Sequence, residues 1–412
     1  MFKKQGTKPR VLVLSLTYLP YIGGAEVAVK EISSCLEGFF TFDILTSRLD
    51  RKLPRFEQVG NVGVYRVGIG HKTIDKYIFT FLGFFKALKL HFKNKYSIVW
   101  SIMAAYSSFS VLFRIFTKAK VVLTLQEGDP IEYIMKLKRF KIFLPVYKIY
   151  FRLVNKVTVI SSFLGNWAEY LGVKKEKIVL IPNGVCLSAF ATNCSCASAD
   201  RRQDLKNKLG IKQNEKVILT VSRIVEKNGV EDLIKSINLL KNKNIKLLIV
   251  GDGELKNKLE KLVDELDLDN NTLLSSGQVQ FLGEIDYNET QKYYSVTDVF
   301  CRPSLSEGFG NVFVEAMAAE IPVIATPVGG ILDFLKDNET GWFCEVKNPQ
   351  SIADKIKYIL NEKNSNEVGK VVNNAKKMVK EKYSWDKVAE QMKKVFLNLL
   401  ILSSCPECSG SG

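Results

Sequence analysis

Histidine is almost absent from this chain: only His71 and His91 occur among 412 residues. Because imidazole is the commonest transition-metal ligand in proteins, a histidine-based metal site is implausible. The eight cysteines form no obvious disulfide framework. Their only clusters, Cys194/Cys196 and Cys405/Cys408, leave a four-thiolate zinc site as the alternative to reduced free thiols. We expect no metal ion and no cofactor.

Long apolar runs are also missing. Basic residues interrupt the apolar stretches near 78–92 and 142–155, so no segment is predicted to span a membrane. The amino-terminal segment superficially resembles a signal peptide, but its apolar part, Val11–Leu16, is short and runs into Gly23 and Gly24; we predict a strand there. The P-loop and the Gly-x-Gly-x-x-Gly fingerprint are absent, which argues against ATPase and dinucleotide-binding roles.

Acidic residues are missing from two stretches of the first half. Residues 1–200 carry 29 basic and 13 acidic residues, which accounts for the whole net charge of +16. Lys76–Lys95 has five basic and no acidic residues, and Tyr133–Lys156 has seven basic and none acidic. Basic residues interleaved with aromatic and aliphatic ones suit a helix in an anionic membrane interface. We therefore expect both stretches to contact a membrane surface.

Burial against a sheet is the alternative for the first stretch. It rests on a core-like helical spacing of five apolar residues: Ile78, Phe81, Leu82, Phe85 and Leu88. Burial accounts for the phenylalanines but not for the missing acids, so membrane contact is favoured. Nucleic-acid binding also fits basic and aromatic content, but no nucleic-acid motif occurs, and we expect no such partner.

The chain is rich in apolar residues, which make up 46% and suffice for sizeable cores in two or three domains. Short β-branched runs alternate with helical patterns, which is typical of buried parallel strands. The runs are Val11–Leu16, Val121–Leu125, Lys156–Ile160, Val217–Val221, Lys246–Val250 and Pro322–Ala325. The pattern predicts two doubly wound α/β domains, with ligand bound in a cleft beyond the strands' carboxyl ends.

Two carboxylates flank a Ser/Gly-rich turn. Glu307 lies in the turn, and Glu315 lies on the helix predicted over 311–319. A turn that opens a helix favours anions, and ionised carboxylates accept hydrogen bonds from sugar hydroxyls. Arg223 and Lys227 follow the predicted strand Val217–Val221 and suit a diphosphate. These residues together indicate a nucleotide-sugar; the alternative is a set of solvated surface charges.

These motifs resemble glycosyltransferase family four, whose members are retaining, nucleotide-sugar-dependent enzymes of the GT-B fold. The resemblance rests on Ser222-Arg223, Lys227, Glu307 and Glu315, and it extends through most of the chain. Further segments follow in the family's order: Pro20–Glu26, Ile181–Val185, Val250–Glu254, Phe281–Glu284, Ala325–Gly330 and Tyr383–Asp386. The resemblance implies two Rossmann-like domains that face each other across a cleft, with a carboxyl-terminal helix crossing back to the first.

The resemblance also implies residue roles. Arg223 and Lys227 would neutralise the departing diphosphate, Glu307 would bind the donor sugar's hydroxyls, and Glu315 would bind the ribose. No side chain is cast as a nucleophile. The residues expected to bind the donor are Gly23, Gly24, Gly251, Gly253, Gly308, Phe309, Gly310, Asn311 and Glu315.

The sequence departs from the family at two places. After Val121–Leu125 many relatives carry a histidine, whereas this chain has Gln126, which can donate a hydrogen bond but cannot titrate near neutral pH. Asp129, with Glu127, is a candidate base, or these residues cap the following helix. Cys186 stands where many relatives have an aspartate after the Pro-Asn-Gly-Val motif.

We place an acceptor- and membrane-facing domain at 1–185, a linker or exposed loop at 186–213 and a nucleotide-sugar-binding domain at 214–382. A returning helix follows at 383–403 and a tail at 404–412. We expect a metal-independent transferase at the cytoplasmic face of the cell membrane, acting on a lipid-linked glycan or glycolipid in cell-envelope or exopolysaccharide synthesis. A soluble acceptor, a scaffold without turnover and a sugar-nucleotide epimerase stay open, as do the choice of UDP or GDP, the sugar and the oligomeric state.

Overall fold

A computed structural model describes residues 8–103, 109–127, 148–190, 199–242, 244–268 and 277–401. The chain forms two compact units, of which the first consists of two segments of the chain and the second of one. The first unit extends to Asn183 and takes in the last helix from Trp385 onward; the second is Gly184–Ser384. Several predicted features lie outside the described residues: Asp129, 133–147, Cys194, Cys196, Cys405 and Cys408.

Each unit is built on one sheet. The strands are β1 (Arg10–Leu14), β2 (Thr41–Ser47), β3 (Phe56–Val59), β4 (Val62–Val67), β5 (Ile98–Ile102), β6 (Lys120–Leu125), β7 (Lys156–Val159), β8 (Ile178–Leu180), β9 (Lys216–Val221), β10 (Ile245–Val250), β11 (Val279–Gly283), β12 (Val299–Arg302), β13 (Val323–Ala325) and β14 (Trp342–Phe343). The first eight form one sheet in the order β3-β4-β2-β1-β5-β6-β7-β8, and the last six form another in the order β11-β10-β9-β12-β13-β14. All neighbours are parallel except β3 and β4.

Helices lie between the parallel strands and follow the last of them. They are α1 (Gly24–Cys35), α2 (Ile74–Asn94), α3 (Phe109–Thr117), α4 (Ser162–Tyr170), α5 (Ala199–Lys208), α6 (Val230–Leu240), α7 (Lys256–Glu265), α8 (Tyr287–Tyr294), α9 (Asn311–Ala318), α10 (Pro349–Leu360), α11 (Ser365–Lys382) and α12 (Trp385–Ile401). Two parallel, doubly wound sheets confirm the predicted fold class. Each of the six predicted strands is present, with bounds that differ by at most two residues.

The last helix, α12, completes the core of the first unit, as the resemblance implies. The Phe396 ring lies 5.4 Å from Phe40, 6.5 Å from Phe42 and 5.8 Å from Trp100, measured between ring centroids. These rings belong to strands β2 and β5 and the turn before β2, and all are buried. Aromatic contacts of this kind add to the hydrophobic gain, so α12 is an integral part of the first unit.

The buried face of α2 differs from the one that the sequence spacing suggests. Asp75, Phe79, Gly83, Ala87 and Leu90 face the interior. The apolar residues whose spacing suggested burial are instead exposed or half-buried; these are Ile78, Phe81, Leu82, Phe85 and Leu88. A helix with apolar residues on nearly all sides gives more than one plausible stripe, and small residues here mark the side that packs closely.

The described part of the stretch 186–213, which is predicted as a linker or exposed loop, contains a helix. Residues 199–208 form helix α5, which has no buried residue, and Leu209 and Ile211 after it are buried. The helix is strongly polar and lacks the apolar stripe by which amphipathic helices are recognised. The buried apolar residues, Leu209 and Ile211, lie beyond the end of the helix, so the helix itself has no apolar periodicity that would predict it.

Among the described helices, none combines the length and the apolar composition required to cross a bilayer.

Candidate functional site

Three loops meet at the carboxyl edge of the second sheet. They follow the adjacent strands β10, β9 and β12, and β9 is the point where the strand order reverses. Ligands of open α/β sheets bind at such switch points. The loops carry Arg223 and Lys227 after β9, Gly251 and Gly253 after β10, and Glu307 after β12.

Glycines allow the first two loops to touch. A Cβ on Gly251 would lie 1.9 Å from the Ser222 carbonyl oxygen, and one on Gly253 would lie 2.4 Å from the Ile224 carbonyl oxygen. Gly251 also has φ of +131°, which side chains rarely adopt. These two predicted donor-binding glycines thus have a packing role: they press one loop onto the backbone that carries Arg223.

The loop after β9 is also fixed to the loop after β12. The Leu305 amide donates to the Lys227 carbonyl oxygen at 2.7 Å, and the Asn228 side-chain amide donates to the Arg223 carbonyl oxygen at 2.6 Å. Arg223 is exposed and Lys227 half-buried. The backbone of both cations is therefore held rigidly while the Arg223 side chain reaches solvent.

Glu307 is held by three neighbours. Its carboxylate forms an ion pair with Arg302, in which both side chains are largely buried. Its Oε1 accepts the Gly308 amide at 3.1 Å, and its carbonyl oxygen accepts the Gly330 amide at 3.0 Å. A Cβ on Gly329 would lie 1.9 Å from that carbonyl oxygen. The predicted sugar-binding carboxylate is therefore fixed in place before any ligand binds.

Arg302, the ion-pair partner of Glu307, is a residue of this edge that sequence motifs do not reveal. Its Nε donates to Ser304 Oγ at 3.0 Å, and its guanidinium lies 5.1 Å from the centre of the Phe313 ring. Burial lowers its pKa to about 10, and the positive charge of Arg223 acts in the same direction. The sequence feature that could have indicated Arg302 is its position: a basic residue at the end of the apolar strand β12, five residues before Glu307.

Glu315 lies deeper than a ligand-binding carboxylate is expected to lie. It is 4% exposed, and its Oε2 accepts the Tyr294 hydroxyl at 3.0 Å. Burial raises its pKa to about 7, against the opposing effects of hydrogen bonds from Tyr294 and Tyr287 and the charge of Arg302. Its role at the ribose stays a prediction, and in this structure it anchors α9 to α8.

The raised pKa of Glu315 predicts how stability depends on pH. The folded chain retains a proton that the unfolded chain releases above about pH 4.5, so this contribution is complete below that pH and is lost as pH rises towards 7. Relative to Glu315→Gln, the wild type should lose about 3 kcal/mol of unfolding free energy across this window. Urea unfolding at a series of pH values measures it, with the exposed Glu362→Gln as control. Parallel pH profiles for wild type and Glu315→Gln would contradict the expectation.

The turn between Glu307 and α9 combines half-buried and buried positions. The Phe309 side chain is 2% exposed and packs against Phe334 and Tyr383, at ring-centroid distances of 5.3 and 5.7 Å. Its ring is therefore part of the core, and the predicted contribution of Phe309 to donor binding, through the backbone amides of the turn, stays a prediction. Gly308 is buried, and Gly310 has φ of +87° and precedes α9, which begins at Asn311 as predicted.

The glycine loop of the first unit follows β1. Gly23 is the N-cap of α1 and Gly24 its first residue, and both are exposed. A Cβ on Gly23 would lie 2.8 Å from Glu26 Oε2, and the other oxygen of that carboxylate accepts the Thr17 hydroxyl. The bare backbone leaves the start of α1 open, which suits an anion.

Gln126 follows β6 at the carboxyl edge of the first sheet. Its Oε1 accepts the side-chain amide of Asn183 at 3.3 Å, and Asn183 belongs to the Pro-Asn-Gly motif at the end of the first unit's continuous stretch. The pair orients the Gln126 amide. Asp129, the other candidate in this loop, lies outside the described residues.

An apolar surface covers one side of the first unit. We call it the aromatic face: Tyr77, Phe81 and Phe85 on α2 are 54–67% exposed, and Ile115 and Phe116 on α3 are each 67% exposed. The rings of Phe84 and Phe116, 5.9 Å apart, join the two helices. Exposed apolar patches of this kind mark interaction surfaces. Of the second basic stretch, only residues 148–156 are described.

Two family models match the chain one after the other. The model described as Glycosyltransferase Family 4 matches residues 22–189, and the model described as Glycosyl transferases group 1 matches residues 201–378. The first covers most of the first unit, and the second contains Arg223, Lys227, Glu307 and Glu315.

Curated relatives have similar descriptions. An uncharacterised glycosyltransferase of Methanocaldococcus jannaschii is 34% identical over 58% of this chain and 59% of its own length. The capsular polysaccharide biosynthesis glycosyltransferase CapM of Staphylococcus aureus is 33% identical over 45% of this chain and 46% of its own. The match thus spans about half the length of these relatives. An alpha-monoglucosyldiacylglycerol synthase of Streptococcus pneumoniae is 28% identical over 77% of this chain and 70% of its own.

Solved structures show the same architecture at low sequence identity. A sucrose-phosphate synthase of Thermosynechococcus elongatus superposes with a TM-score of 0.80 at 22% identity over 96% of this chain and all of its own. HepE of Anabaena, solved with UDP-glucose, gives 0.75 at 18% identity over 94% of this chain and 99% of its own. At this identity the likeness shows the fold, which is the GT-B fold implied by the sequence.

Proposed function

Because the chain belongs to glycosyltransferase family four, we propose that it transfers a sugar from a nucleoside-diphosphate sugar to an acceptor hydroxyl, with retention of configuration. The observation that carries the proposal is the meeting of Arg223, Lys227 and Glu307 at the switch point of the second sheet. Two cations suit a diphosphate and a fixed carboxylate suits sugar hydroxyls, so one edge offers complementary chemistry for both halves of the donor.

The chemistry follows from where charge develops. As the bond between the anomeric carbon and the diphosphate oxygen breaks, negative charge collects on the diphosphate. We propose that Arg223 and Lys227 meet this charge without a metal ion, helped by backbone amides at Gly308–Asn311. Arg302 positions Glu307, which accepts hydrogen bonds from the donor sugar. In the first unit, the Gln126 amide, oriented by Asn183, is the candidate hydrogen-bond donor to a substrate hydroxyl.

A panel of UDP- and GDP-linked hexoses, N-acetylhexosamines and pentoses tests the donor site. At about 100 times its Kd, the true donor should stabilise the protein by about 2.7 kcal/mol, measured as a rise in Tm. Arg223→Ala and Glu307→Gln should abolish the response. Lys261→Ala, an exposed lysine on α7, is the matched control and should retain it.

Two outcomes would contradict the donor site. One is a folded protein that responds to no donor, which would favour a scaffold role. The other is a response that Arg223→Ala and Glu307→Gln retain in full, which would place the donor elsewhere. UDP-glucose is the first donor to try, because a structural neighbour was solved with it.

We propose that the acceptor is a lipid or a lipid-linked glycan at the inner face of the membrane. Support comes from the names of two relatives, a capsular polysaccharide glycosyltransferase and a glucosyldiacylglycerol synthase. Independent support comes from the aromatic face: α2 packs on the first unit through residues such as Phe79 and Ala87, whereas Phe81 and Phe85 are exposed. The five lysines of 76–95 would attract anionic lipids while the rings enter the interface. A soluble acceptor would leave this exposed face without a use.

Replacing two rings of the aromatic face tests the membrane contact. Phe81 and Phe85 are exposed and pack on each other at 5.0 Å, so Phe81→Gln with Phe85→Gln should leave the fold intact. Binding to vesicles containing phosphatidylglycerol should weaken by at least about 100-fold, because two phenylalanines that each contribute about 1.5 kcal/mol or more amount to about 3 kcal/mol or more. Vesicle sedimentation measures this. Leu332→Gln, an equally exposed apolar site in the second unit, should change nothing; equal loss in both would refute the contact.

A further inference from the structure

A cavity of about 410 Å³ lies at the end of the first sheet away from Gln126. Its lining is half apolar and half basic. The lining residues are Val111, Arg114, Ile115, Lys118, Lys120 and Leu153. Lys120 begins β6 and Gln126 follows it, so the cavity is about 20 Å along the strand from that residue. The cavity is therefore separate from the predicted reaction centre.

The basic side of the cavity is formed by Arg114, Lys118 and Lys120. Among the described residues, neither Lys118 nor Lys120 forms an ion pair. The Arg114 guanidinium donates to the Leu153 carbonyl oxygen, which joins α3 to the segment that carries the apolar wall. Lys177 donates behind this wall to the carbonyl oxygens of Arg152 and Val154, at 2.8 and 3.1 Å. Three cations at the cavity and a fourth behind it make a concentrated positive field.

The apolar side of the cavity continues into the aromatic face. Ile115 belongs to both, and Leu153 is 43% exposed beside it. A free phosphate would leave this apolar wall uncovered, whereas an anionic amphiphile covers both sides. A volume of this size falls within the range of small-molecule sites.

We propose that this cavity binds one anionic phospholipid of the membrane, with the phosphate between Arg114, Lys118 and Lys120 and an acyl chain along Val111, Ile115 and Leu153. The inference rests on the proposed membrane contact and makes it specific: the aromatic face enters the interface, and the cavity selects a headgroup. It does not depend on sugar transfer.

Short-chain lipid monomers test the cavity without a bilayer. The full chain is titrated with dihexanoyl phosphatidylglycerol below its micelle concentration, with dihexanoyl phosphatidylcholine and with inorganic phosphate, and heat is measured. We expect saturable binding of the first and little binding of the other two. Lys118→Asn with Lys120→Gln should weaken it about 30-fold. Asparagine suits position 118, because Lys118 has φ of +59°.

Two further variants separate the cavity from net charge and from folding. Lys206→Gln with Lys208→Gln on the exposed helix α5 removes the same charge and should bind normally. Leu153→Trp fills the cavity and should abolish binding. The donor-induced rise in Tm should be unchanged in every variant, so a failed donor site and a failed lipid site are distinguishable.

Three results would overturn the proposal. They are no binding of the phosphatidylglycerol monomer, equal binding of inorganic phosphate, and equal weakening by the α5 variant. Loss of lipid binding in the cavity variants alone, with the donor response retained, would establish the site.

Discussion

Lys227→Ala is expected to lower the rate of sugar transfer by about 10²–10³-fold, with a smaller change in KM. The positive charge at this position acts mainly on charge that develops as the diphosphate leaves, and preorganised charge of this kind stabilises the transition state more than the ground state. The Lys227 carbonyl oxygen accepts the Leu305 amide, and this backbone hydrogen bond does not depend on the lysine side chain. The loop should therefore keep its conformation in Lys227→Ala. Steady-state transfer with the donor found in the panel measures the effect.

The Lys261→Ala variant is the control for loss of one positive charge in the same unit. It should transfer at the wild-type rate. A Lys227→Arg variant should recover part of the loss, because arginine keeps the charge but places it differently. If Lys227→Ala retained its rate within about twofold, well below a typical loss of this kind, the diphosphate role would be wrong.

Arg302→Met is expected to cost about 3–5 kcal/mol of unfolding free energy, because it leaves the Glu307 carboxylate without its partner in a largely buried position. It should also abolish the donor response, since nothing then fixes Glu307. Methionine fills a similar volume, so cavity formation contributes little to the loss. Chemical denaturation and the donor-induced shift in Tm measure the two effects.

The double variant Arg302→Met with Glu307→Gln identifies the cause. Removing both charges should restore most of the lost stability but none of the donor response. A double variant as unstable as Arg302→Met would show that the guanidinium acts through Ser304 and Phe313 and not through Glu307.

Local sequence patterns predicted the strands and the loops that carry the site, because a buried parallel strand is a short apolar run and its next residues lie at one edge. They could not predict side-chain pairing. Whether Glu307 faces solvent or Arg302 depends on contacts made across the fold, and so does the burial of Phe309 and Glu315. The buried face of α2 could not be predicted for the same reason. Several sets of apolar residues on this helix have helical spacing, and only the packing of Gly83 and Ala87 against α3 and the sheet decides which set is buried. Helix α5 shows the converse case: a polar helix without a buried residue has no apolar periodicity from which it could be predicted.

The return of α12 to the first unit has a consequence for synthesis on the ribosome. The first unit's aromatic core includes Phe396, so the residues up to Asn183 emerge long before the helix that covers Phe40, Phe42 and Trp100 exists. Domains ordinarily fold as units in order of emergence. Here the order is reversed: Gly184–Ser384 holds all of its own strands and can finish folding first. The amino-terminal half must wait with apolar rings uncovered, and this interval is when chaperones matter most to the nascent chain.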